Sequence, residues 1–256
     1  MIACGVGQTG GMKTAIIIVH ALWLAYTSAF HAHNVARKSP AEAIPILLYH
    51  SVADNPQDPL SVLPARFERQ LAHLRDRGYH PLFFADLAAW GQRPLPPKPV
   101  IITMDDGYDN QFTAAYPILR RTGMKATIFA ITGRMGKPGY LTWQQLRMME
   151  ASGTVDTQSH TVTHPDFTKI SPAQKRAELV ESRDAIFRQL GHRSYAFAYP
   201  YGKYDQDSVV AVRLAGYRYA VTGEPGYAER SQGLLKLHRI IMTGAMPLED
   251  FYALLP

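Results

Sequence analysis

From Ile44 to the C-terminus, short runs of strand length take turns with longer amphipathic stretches, and this alternation limits the fold more than any other feature. The runs are "IPILLY", "PVIITM", "KATIFAI", "TVDTQ", "YAFAY", "YRYAVT" and "LLKLHRIIM". Between them, "PARFERQLAHLRDRGY" sets Phe67, Leu71 and Leu74 on one helical face, with Gly78 as a stop. "TWQQLRMMEASG" opens with Thr142 and Gln145 in capping-box spacing. "SPAQKRAELVESRDAIFRQLG" offers Ser171 as N-cap, Pro172 in the first turn and Gln174 three residues past the cap. "AAYPILRRTG", "QDSVVAVRLAG" and "PLEDFYALL" complete the helical set. Strands that alternate with helices imply parallel βα units. About seven such units favour a closed or nearly closed α/β barrel over an open sheet, as one domain spanning residues 44–256.

Composition narrows the function classes. Of the 256 residues, 46% are hydrophobic and 19% charged, which excludes a disordered chain. The net charge of +6 is scattered without a basic run, and no nucleic-acid-binding module is visible, so the charge reads as solvated surface and no nucleic-acid partner is expected. Residues 1–11, "MIACGVGQTGG", read as an upstream extension, with translation starting at Met12. Residues 12–29 carry a Lys, an apolar core and small residues, the layout of a secretory signal peptide. The apolar run is short for a bilayer span; an uncleaved anchor holding the protein at a membrane is the other reading. A polar linker, 30–43, follows. The expected location is therefore outside the cytoplasm, in a periplasm, at a cell surface or in the medium. Cys4, the single cysteine, lies in the extension. A chain without its leader has no thiolate to offer, so any metal falls to His and carboxylate.

In a parallel barrel, functional side chains gather where strands end. Three polar clusters stand at such places: Asp105 and Asp106 after "VIITM", His160 and His164 in "TQSHTVTHPDF", and Pro200 and Tyr201 in "YPYGKYD". Adjacent carboxylates resist joint ionisation unless a positive charge takes one of them. His160 and His164, four apart, fall on one side of a helical turn. Two His and one carboxylate suffice as a catalytic metal's protein ligands. Asp106 would be that carboxylate, and Asp105 would remain free to act as general base toward water. No Ser-centred nucleophile motif and no phosphate-cradling glycine loop is present.

"TMDDG", "HTVTH" and "YPYG" resemble the first three motifs of the polysaccharide deacetylase family, the NodB-homology carbohydrate esterases. "LLYHSV", "FERQLAHLRDRGY" and "YLTWQQLRMMEASGTVDTQSHTVTHPDF" are similar to its branch acting on poly-N-acetylglucosamine. The likeness spans Ile44 to the C-terminus. It implies a distorted (β/α) barrel that uses a divalent ion, zinc or else cobalt, nickel or iron, to remove N-acetyl groups from a glycan. The implied substrate is poly-β-1,6-N-acetylglucosamine of a biofilm, with peptidoglycan or chitooligosaccharide as the alternative and other exopolysaccharide export components as partners. A glycan-binding protein without turnover is the contrasting class.

Carried over by position, Asp105 matches the family's base, and Asp106, His160 and His164 its metal ligands. Tyr201, after Pro200, matches the residue whose backbone N–H faces the developing oxyanion. His238 in "LLKLHRI" fills the place of the general acid, or is a strand-edge histidine. Where the family has an Arg that pairs with the base, this chain has Ala198, and Arg239 is the expected replacement. His50 lines the mouth or is structural. Trp143 and Tyr140 are candidates for sugar stacking, with a core role as the alternative for Trp143.

Overall fold

The structure, a computed structural model, describes residues 43–256; the expectations for the extension, the leader and the linker up to residue 42 lie outside the described residues. Seven parallel strands form the frame: β1 (Ile46–Tyr49), β2 (Pro99–Asp106), β3 (Ala126–Ala130), β4 (Val155–Ser159), β5 (Ala196–Ala198), β6 (Tyr219–Pro225) and β7 (Leu237–Ile241). Each pairs with the next in chain order, and β7 pairs back onto β1, so the sheet closes. The closure is uneven. Ser159↔Phe197 is the single register pair between β4 and β5, and the β6–β7 register shifts between Val221 and Pro225. This is the closed α/β barrel expected from the alternating pattern, with the distortion that the family resemblance implies.

The helices are α1 (Pro64–Asp76), α2 (Tyr116–Thr122), α3 (Trp143–Ala151), α4 (Pro172–Leu190), α5 (Gln206–Leu214) and α6 (Leu248–Leu254). Thr142 with Gln145, and Ser171 with Gln174, form reciprocal capping boxes that start α3 and α4. Gly123 and Gly191 end α2 and α4 in the left-handed conformation, which releases each chain toward its next strand. Among the described residues, no helix is long and apolar enough to cross a membrane.

Strand alternation then sorts the side chains. Ala196 and Ala198 face the barrel interior, with Ile46, Ile101, Phe129, Tyr219, Val221 and Leu237. Phe197 and Tyr199, between and after them, face outward and pack with Leu179, Val209, Val212 and Tyr217 beneath α4 and α5. Burying each large apolar side chain stabilises the fold by roughly 1.5–3 kcal/mol before the entropy of ordering it is counted. The interior is therefore filled rather than hollow, and a cavity opens where the strands end.

Candidate active site

β2 runs two residues further than its apolar stretch and carries both carboxylates. Asp105 points into the barrel and is 2% exposed. Arg239, from β7 and 1% exposed, meets it in a two-pronged pair, with both N–O distances 2.8 Å. The guanidinium also donates to the Thr222 carbonyl and the Thr103 hydroxyl. Burial pushes the Asp105 carboxyl up, but the paired Arg239 guanidinium outweighs it and holds the group at about 2. The neighbouring backbone is pinned by Gln111, whose amide donates to the carbonyls of Asp105 and His50.

Asp106 sits in the left-handed region at φ 72°, which turns its carboxylate away from Asp105 and toward the histidines. Burial raises its pKa, with the Asp105 charge adding to this, while His50 and a hydrogen bond from Tyr108 oppose the rise. His160 and His164 do not lie on a helical turn, as their spacing suggested. The segment after β4 is a loop in which Thr161 (φ 70°) and His164 (φ 64°) both adopt the left-handed conformation. Thr161 accepts the His164 N–H, and Glu178 of α4 accepts the backbone N–H groups of Val162 and Thr163. Four of the five described non-glycine residues with positive φ are Asp106, Thr161, His164 and Tyr201. Backbone strain is concentrated here, as it commonly is where geometry serves function.

The His160 Nδ1 donates to the Ala198 carbonyl at 2.8 Å, which leaves its Nε2 as a lone-pair donor facing the cavity. Burial pushes the His160 pKa down to about 3 and lowers that of His164, so both rings are neutral at physiological pH, the form a metal requires. The His160 and His164 Nε2 atoms are 3.1 Å apart, and they lie 3.6 and 3.7 Å from the Asp106 Oδ1. Ligand atoms on a tetrahedral ion with bonds of about 2.0–2.1 Å stand roughly 3.3–3.4 Å from one another. The three atoms thus form a face of the right size and chemistry for a divalent ion, and they can hold one.

A cavity of about 500 Å³ opens above this face. Asp105, Asp106, His160, His164, Arg239, Tyr201 and His50 all line it, as do Tyr108, Arg134 and Tyr140. Tyr201 adopts φ 58° and is followed by Gly202 at φ 67°; Gly202 lies so close to Gly223 that a Cβ would meet its Cα at 2.3 Å. Tyr201 is 63% exposed, and its ring stands 4.6 Å from that of His164. Pro200, buried, begins the turn that presents Tyr201. The His50 Nδ1 is buried without a hydrogen-bond partner, beside both carboxylates.

Two expected residues are elsewhere. His238 precedes Arg239 on β7, so the pleat sends it to the opposite face; its Nε2 lies 2.6 Å from the Glu224 carboxylate. It does not line the cavity. Trp143, the first residue of α3, is partly buried and also outside the cavity. Sequence reasoning passed over Glu178, Tyr108 and Arg134. Glu178 reads as a solvated position in "AELVESRD", and only the fold brings its carboxylate to the histidine loop.

Known proteins resemble this chain in fold and sequence. The polysaccharide deacetylase family profile matches residues 92–220. YxkH of Bacillus subtilis (strain 168), whose name assigns it provisionally to the polysaccharide deacetylases, is 34% identical over 221 residues, 86% of this chain and 78% of that protein. The poly-β-1,6-N-acetyl-D-glucosamine N-deacetylase of Escherichia coli (strain K12) is 24% identical over 83% of this chain, which spans only 38% of that protein. Among solved structures, the Streptococcus pyogenes deacetylase PplD in complex with acetate superposes with a TM-score of 0.79 at 33% identity, covering 84% of this chain and 98% of that one. The chain belongs to the polysaccharide deacetylase family.

Proposed function

We propose that the protein is a divalent-metal-dependent N-deacetylase of N-acetylglucosamine polymers, with poly-β-1,6-N-acetylglucosamine as its first candidate substrate and zinc as its first candidate ion. The observation that carries this reading is the convergence, at the floor of one cavity, of the buried Asp105–Arg239 pair and the Asp106, His160 and His164 face. The substrate rests on the sequence resemblance and on the Escherichia coli relative that bears that name. The leader-like residues 12–29 support export, which would place the enzyme where such a polymer is met.

The residues divide the work as follows. Asp106, His160 and His164 would hold the ion, which when bound supplies Lewis acidity that acidifies water and draws charge from the acetyl oxygen. Asp105 takes the proton as water adds to the acetyl carbon. A carboxylate held at about 2 is a weak base, suited to water that has already been acidified. Arg239 keeps Asp105 ionised and fixes its orientation. The Tyr201 backbone faces the oxygen on which negative charge develops. The carbon–nitrogen bond then breaks, and the leaving amine needs a proton. His50 is the imidazole in the cavity with an unpartnered nitrogen, and it takes the donor role that His238 is not placed to play. The products are acetate and a glucosamine unit.

Acetate release tests this directly. Poly-N-acetylglucosamine oligomers, chitooligosaccharides and peptidoglycan are compared with and without a chelator and metal add-back. Chelator-sensitive release from the first alone supports the full reading. Release from peptidoglycan instead keeps the chemistry and replaces the substrate. A glycan-binding protein without turnover would release nothing from any of them while holding its metal.

A further inference from the structure

The end of the barrel opposite the cavity has a pattern of its own. Lys98, Lys125, Arg218 and Lys236 each stand immediately before a barrel strand, at the starts of β2, β3, β6 and β7, and Arg193 stands three residues before β5. Four of these cations lie over aromatic rings: Lys98 over Tyr79 and Lys125 over Phe83 at 5.3 Å, Arg193 over Phe187 and Arg218 over Tyr195 at 5.5 Å. Lys98 also donates to the Pro256 carbonyl. Among the described residues, no carboxylate comes within ion-pair distance of Lys125, Arg193, Arg213, Arg218 or Lys236. Of the acids near these strand starts, Asp156 accepts from Tyr195 and Gln158, Glu150 from Thr157 and His192, and Asp86 from the Phe83 N–H.

Large apolar side chains are exposed beside the cations. Leu214, which ends α5, is 81% exposed, Val210 one turn earlier 42%, Leu234 38% and Phe187 47%. Leu234 lines a cavity of about 300 Å³ together with Arg213, Arg218 and Lys236, and no acidic residue lines it. A polyanion in solution would neutralise the guanidinium groups but leave Leu214 and Leu234 in water. An anionic bilayer surface answers both, since its headgroups attract the cations and its acyl boundary accepts the aliphatic tips.

We propose that this end of the barrel docks on an anionic lipid surface, with the catalytic mouth turned away from the membrane and toward polymer. The proposal does not rest on turnover, because docking is read as binding.

The test is sedimentation of the full chain with vesicles of phosphatidylcholine alone and with vesicles of equal parts phosphatidylglycerol and phosphatidylcholine. Each cation near such a surface contributes about fivefold in partition, so the triple variant Arg213→Gln, Arg218→Gln, Lys236→Gln should lose about a hundredfold of the anionic-lipid-dependent binding. Leu214→Ser should weaken binding further without altering acetate release from soluble oligomers. Arg69→Gln with Arg176→Gln, exposed cations on α1 and α4, should change neither. The proposal is overturned if the unsubstituted chain shows no preference for anionic vesicles, or if the triple variant binds like the Arg69/Arg176 control. It is equally overturned if Leu214→Ser abolishes a dimer in solution while vesicle binding stays intact, which would make the face an interface between copies.

Discussion

Replacing Arg239 by Met should reverse the way stability depends on pH. With Arg239 present, the Asp105 carboxyl is lowered from 3.8 to about 2, a shift of just under two units. A depressed carboxyl contributes stability that is fully present above its unfolded value and lost as pH falls through its folded one. This contribution is about 2 kcal/mol and disappears between about pH 4 and pH 2. Arg239→Met removes both hydrogen bonds to Asp105 and the donor to the Thr222 carbonyl, and leaves a buried, uncompensated carboxylate. Breaking a buried pair in this way costs roughly 3–5 kcal/mol near neutral pH. Burial then governs Asp105 and raises its pKa above the unfolded value, so the sign changes. Stability in the variant is greatest below about pH 4 and falls as pH rises through the raised value. Urea denaturation across this range, on the single variants Asp105→Asn and Arg239→Met and on the double variant, measures the effect. The double variant should recover much of the loss, because no unpaired charge remains. A loss below about 1 kcal/mol for Arg239→Met, with unchanged pH dependence and no recovery in the double variant, would refute the reasoning.

Three further predictions concern turnover and the metal. His50→Asn should lower kcat by about 10²–10⁴ with little change in metal content, whereas His238→Ala should leave kcat within about threefold; equal losses would return the donor role to neither ring. Gly202→Ala places a Cβ against the Gly223 backbone at a φ of 67°, so the Tyr201 turn must move. Acetate release should fall by tenfold or more while the ion stays bound, as read by steady-state kinetics beside elemental analysis. Glu178→Ala removes the acceptor for the N–H groups of Val162 and Thr163 and frees the loop that aims His164. Metal affinity should weaken by about 10–100-fold in a competition titration, with the fold intact by circular dichroism.

The barrel was legible because its signals are local. A capping box needs residues three apart, and Ser171 with Gln174 declares the start of α4 without reference to anything distant. The clustering of the carboxylates and histidines was legible for a related reason, since each pair is short in sequence and follows a strand. The loop joining His160 to His164 was not, because three-and-four spacing describes a helical turn, and nothing in "HTVTH" announces that Thr161 and His164 take positive φ. Glu178 was hidden in a helix whose exposed face looks ordinary. The pairing of Arg239 with Asp105 joins residues 134 positions apart, and it rested on a family likeness rather than on pattern. His238 is the instructive case. Adjacent strand residues face opposite ways, so the pleat sends His238 and Arg239 to different faces, and the contact with Asp105 shows that Arg239 is the one facing the cavity.

The proposed chemistry requires an ion on Asp106, His160 and His164, because Asp105, held at about 2, can deprotonate only water that has been acidified. Metal content and acetate release measured on the same samples test it most directly, in the unsubstituted chain during stepwise chelation and in Asp106→Asn. Release should fall in proportion to bound metal, add-back should restore both, and Asp106→Asn should lack both. Sustained acetate release from protein stripped of metal would contradict it.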